Sequence, residues 1–131
     1  ATMILASFLR HLQFYAHIGH NVLGGKEFLP NHAFLGELYA GYEDDYDAVV
    51  ERMIGTGVKV DLVKIHEDAL KNLEEPSTYE DCFEYILKKE EELCKNLVKI
   101  SEESSIGTQN LLSDIADRSE MRQYKLKQIL K

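Results

Sequence analysis

Apolar residues recur every three to four positions through most of the chain, and that spacing predicts helices nearly from end to end. Within residues 4–20 one face carries Leu5, Phe8, Leu9, Leu12 and Ala16, and Gly24 and Gly25 end it. Pro30 sits where a second helix begins, since proline is tolerated in a first turn. Leu35, Leu38, Tyr42, Tyr46, Val49 and Met53 trace that second helix, closed by Gly55 and Gly57. A shorter helical pattern runs from Val60 to Leu73 and gives way to Pro76. Ser77 followed by Glu80 reads as a capping box opening the third long helix. There the stripe is Phe83, Ile86, Leu87, Glu90, Leu93, Leu97 and Val98. Gly107 and Thr108 interrupt the chain, and the last helix follows through Leu111, Ile115, Ser119, Leu126 and Ile129. The expectation is an all-α four-helix bundle, one domain over residues 1–131, with a short extra helix between the second and third long ones.

Composition narrows the class. Apolar residues make up 44% and charged residues 29% of 131, which fits a soluble globular protein. No apolar run reaches the roughly 18 residues that would span a bilayer, and the opening ATMILASFLRHLQFY reads as a helix, not a leader. Cys82 and Cys94 fall in one helical pattern about 18 Å apart along its axis, too far for a disulfide. Reduced thiols point to a cytoplasmic protein. With 23 acidic against 15 basic residues the net charge is -8. That opposes direct DNA binding and fits a protein that gathers cations.

The chemistry concentrates in His20, His32, Asp47 and Glu51. The Gly24–Gly25 loop can fold the imidazole ending the first helix toward the one opening the second. Asp47 and Glu51, four apart, share a helix face about 6 Å apart along the axis. Imidazole plus carboxylate suits iron, with zinc or manganese as substitutes. Yet His32 and Asp47 are separated by about 22 Å of helix, so no single ion touches both in one chain. Either the four are unrelated, or a two-fold axis brings the histidine end of one subunit against the carboxylate end of another, giving two identical sites per pair.

The stretch from His20 through Gly25, Phe28 and His32, followed by Asp47, Glu51 and Arg52, resembles the Dps mini-ferritins. The long mid-bundle crossover is also the ferritin-like arrangement. The resemblance implies that these four residues are the metal ligands and catalytic residues of a ferroxidase centre shared across a dimer interface. It further implies iron storage, oxidation of Fe(II) by peroxide or dioxygen, protection against oxidative damage, and a homo-oligomer, a hollow dodecamer built from two-fold dimers. The close match covers roughly residues 5 to 57. Two family features are missing: Asn21 stands where a tryptophan is usual, and there is no lysine-rich N-terminal extension. The alternative is a Dps-like bundle that keeps the fold without catalysis and serves as a structural or binding protein.

The remaining polar residues carry plainer readings. His17, three before His20, reads as a solvated histidine that could join the site, and His11 and His66 read as surface. Glu43 and Asp44 extend an acidic face. Tyr39, Tyr42 and Tyr46 read as packing residues. The KKEEEL and SEES segments read as a charged helix face, which in this family would line a cage interior. Arg118, Arg122, Lys125, Lys127 and Lys131 read as a basic tail suited to a helix C-terminus.

Overall fold

The computed structural model describes residues 2–131, and all regular structure among them is helical. Five helices follow in order: α1 (Thr2–Val22), α2 (Phe28–Gly55), α3 (Leu62–Leu70), α4 (Tyr79–Ser101) and α5 (Ile106–Ile129). Short loops make hairpins of α1 with α2 and of α4 with α5. Tyr79 Oη donates to the Leu23 carbonyl at 3.0 Å, so α4 begins at the end of the bundle where α1 stops. Residues 56–78 therefore carry the chain from the far end of α2 back along the bundle, and α3 lies on that path against α1.

Periodicity translates directly into burial. Leu5, Leu9, Leu12 and Ala16 of α1 face Leu35, Leu38, Tyr42, Tyr46, Val49 and Met53 of α2 inside one apolar cluster. Phe83, Ile86, Leu93 and Leu97 of α4 and Leu112, Ile115 and Leu126 of α5 complete it. Each fully buried Leu, Ile, Val, Phe or Met among them contributes about 1.5–3 kcal/mol. Val98 and Ile129, placed on the inward stripes by spacing, stand 61% and 43% exposed. They lie toward the helix ends, where the stripe drifts off the core.

Three boundaries differ from the sequence reading. The cap of α4 is Thr78, whose hydroxyl accepts from the Asp81 amide at 3.0 Å, so the capping residue lies one position after Ser77. Asp61 caps α3 by accepting from the Lys64 amide, and the backbone turns extended at Lys71, so the expected Val60–Leu73 pattern shortens to nine residues. Ser105 caps α5, so Gly107 and Thr108 lie in its first turn and do not break the chain. In each case a nearby hydroxyl or carboxylate satisfied the orphan amides and fixed the start.

Candidate metal centre

The loop between α1 and α2 brings His20 and His32 into contact. It turns through Gly25 at φ 94 and Glu27 at φ 65, both left-handed, and α2 starts directly after. The two imidazoles stack with centroids 3.6 Å apart, and Phe28 covers the other side of His32 at 4.7 Å. His20 Nδ1 donates to the His32 carbonyl at 2.8 Å, and His32 Nδ1 donates to the His20 carbonyl at 2.9 Å. A carbonyl only accepts, so each Nδ1 carries a hydrogen, and in the neutral form of each ring the lone pair lies on Nε2. Backbone anchoring of one ring nitrogen is how metal-binding histidines are held ready at the other.

Gly36, one turn after His32, leaves room for this arrangement. A Cβ built there would lie 3.5 Å from His20 Cε1 and 3.6 Å from its Nδ1, so only a small residue fits beneath the ring. His17 completes the aromatic group: its ring stacks on Tyr39 at 4.0 Å and meets His20 edgewise at 6.1 Å.

Asp47 and Glu51 both lie exposed on α2, well along the helix from His32. Among the described residues no three His, Cys, Asp or Glu side chains of one chain come together to hold a metal ion. The histidine pair and the carboxylate pair are thus separate groups on a single chain.

The bundle interior, where ferritin-like carboxylate proteins can build metal sites from facing helices, is filled by a different cation. Glu90, fully buried, accepts from Arg122 Nε, from Tyr42 Oη and from Ser119 Oγ. Arg122 also pairs with Asp45 at 3.4 Å, and Arg118 pairs with Asp45 at 2.8 Å. The Arg122 guanidinium lies over the Tyr42 ring. Burial pushes the Asp45 carboxyl upward, and Arg122 and Arg118 pull it back in part. Burial works against the Arg122 charge, but Glu90 beside it holds the group above its ordinary range. Two carboxylates face two guanidiniums, and no charge is left over for a metal ion to balance.

The sequence profile of the ferritin-like domain matches residues 4–131. The chain belongs to the ferritin-like family. Its fold is that of the Dps mini-ferritins. Dps from Microbacterium arborescens, in a high iron form, superposes with a TM-score of 0.87 at 16% identity, covering 98% of this chain and 89% of the other. Dps from Staphylococcus aureus gives 0.83 at 16% identity, over 99% and 95% of the two chains. A Dps protein from Vibrio cholerae O1, described as a member of a broad superfamily of ferritin-like diiron-carboxylate proteins, gives 0.72 at 20% identity over 99% and 86%. Comparison with curated proteins finds no match in sequence. Among the described residues of this ferritin-like chain, no helix is long and apolar enough to cross a membrane.

Several residues do more than their spacing indicated. Glu90, within KKEEEL, points into the bundle and cannot line any outer charged face. Arg122 is only 11% exposed in its side chain and anchors the core, so the basic-tail reading fails for it. His11 is not a free surface histidine. It bonds to the Ala69 carbonyl at 2.8 Å and to Tyr85 Oη at 2.7 Å, tying α1 to α3 and α4. His66 is half-buried beside Phe14 and Tyr46. Asp45 gave no sequence signal beyond its place in an acidic run.

Proposed function

We propose that this ferritin-like chain is a ferroxidase and iron-storage subunit, with Fe(II) bound between His20 and His32 of one copy and Asp47 and Glu51 of a second. The observation that carries the reading is the pair of stacked imidazoles whose Nδ1 atoms are both tied to backbone, leaving two Nε2 lone pairs for an ion. Supporting it are the carboxylate pair on α2, at a distance that only a second copy can close, and the iron-bearing relative with the same fold. Zinc or manganese would fit the same donors.

In this reading iron is the substrate. Two Fe(II) each give one electron to hydrogen peroxide, the O–O bond breaks, and both oxygens leave as hydroxide. With dioxygen, four Fe(II) supply one electron each and solvent supplies four protons, giving two waters. Asp47 and Glu51 stabilise the rising positive charge, and His20 and His32 hold the ion through the change. The assembly is a homo-oligomer of two-fold dimers, a dodecamer by likeness to its relatives, working in the cytoplasm to limit oxidative damage. Its net charge of -8 keeps it off DNA.

Stopped-flow absorbance of ferric formation tests this, with Fe(II) and peroxide added to wild type and to Asp47→Ala. Rapid oxidation in the wild type and loss in the variant, both with the same oligomeric mass by light scattering, is the expected result. A wild type no faster than buffer sinks the ferroxidase reading and leaves a structural bundle.

A further inference from the structure

Of the five histidines, four have Nδ1 hydrogen-bonded to a backbone carbonyl: His11, His20, His32 and His66. His17 differs. Among the described residues neither of its ring nitrogens meets a protein partner, yet its ring is fixed flat on Tyr39, with an interplanar angle of 6°. It stands one turn before His20 on the same face of α1 and is exposed. An imidazole held by its face, with both nitrogens open at its edge, leaves those nitrogens available to a group from outside the single chain.

The second ligand follows from register. On α2, His32, Gly36, Tyr39, Glu43, Asp47 and Glu51 recur at three- and four-residue steps, so they lie along one face. A two-fold pairing that sets His32 between Asp47 and Glu51 of the partner runs the two copies of α2 antiparallel. Counting inward from that contact, Tyr39 comes level with the partner's residue at about position 42, within one turn of Glu43. His17, stacked on Tyr39, is at the same level. Glu43 is exposed in the single chain, so its carboxylate is open to a second copy.

We propose that His17 of one copy and Glu43 of the partner subunit form a second cation site, next to the first and nearer the two-fold axis, taking first-row divalent ions such as Fe(II), Co(II) or Zn(II). Imidazole with carboxylate is the donor chemistry of the outer site, and water completes the shell. The inner site rests on the intersubunit reading given above. It holds a reserve ion within about two turns of α2 from the oxidation centre, so iron can be replaced without a fresh encounter from solution.

Cobalt alone is the probe, read by calorimetric stoichiometry and by visible absorption of the bound ion. His17→Gln and Glu43→Gln should each lose the same class of bound ion, one per chain, while the ions that depend on Asp47 remain. Asp47→Ala should show the opposite pattern. If both substitutions at positions 17 and 43 leave stoichiometry and affinity unchanged while Asp47→Ala lowers them, the inner site is wrong and the outer site stands. If only His17→Gln loses an ion, the pairing with Glu43 is wrong. If Asp47→Ala keeps every ion, the outer site fails, and the register that pairs His17 with Glu43 fails with it.

Discussion

His20 and His32 hold each other through main chain: each ring donates to the other's carbonyl, at 2.8 and 2.9 Å. Neither anchor is a side chain, so replacing one imidazole keeps the other's hydrogen bond and removes only its stacking partner. The clasp also fixes the turn between α1 and α2, because both carbonyls belong to helix ends.

Gly36 gives the sharpest test of that clasp. Gly36→Ala should leave metal affinity unchanged, because its Cβ meets His20 at ordinary contact distance. It should also stabilise α2 by about 1 kcal/mol, the usual gain of alanine over glycine inside a helix. Gly36→Leu should push the His20 ring off the His32 carbonyl and weaken zinc binding about 10–100-fold, the usual scale for losing an orienting partner. Calorimetry with Zn(II) and urea unfolding measure the two effects separately. Equal affinity in the leucine variant would mean that the ring has room to spare.

Arg122 carries the core's charge balance. Arg122→Met should cost about 3–5 kcal/mol in urea unfolding, since it strands the buried Glu90 beside Asp45. Replacing Glu90 by Met as well should recover a good part of that loss, because the stranded charge goes with it. A single variant as stable as wild type would show that water reaches Glu90.

Cys82 sets an alkaline limit. Burial pushes its thiol from 9.0 up to about 12 in the fold. A raised folded value means that the neutral thiol's stabilisation is fully present below pH 9 and is lost as pH rises toward 12. Unfolding midpoints should therefore fall across that window, and Cys82→Ala should flatten the fall while lowering stability near neutral pH. An unchanged slope in the variant would assign the loss to other groups, such as Tyr15, whose hydroxyl burial also raises.

The stripes of Leu5, Leu9 and Leu12 or of Leu35, Leu38 and Tyr42 were legible because burial on a helix is local and periodic. So was the approach of His20 to His32, because only a short glycine loop separates them. The partners of Glu90 were not legible. Its place on an apolar stripe marked it as inward, but Arg122 lies 32 residues away on another helix, and no local rule pairs them. His11 was missed for the same reason, since Ala69 and Tyr85 reach it only through tertiary packing. Asp47 and Glu51 read in the sequence as a carboxylate pair too far along the helix to meet His32 within one chain, and they lie exposed on α2.

The guanidinium at the centre of the bundle separates two events that metalloproteins often join. Where a metal ion neutralises interior carboxylates, the chain folds as the ion arrives and loosens when it leaves. Here the neutralising cation is part of the polypeptide and cannot be chelated or oxidised away. The subunit can therefore reach its final shape with no ion in its interior, held there by a charge balance that is covalently its own.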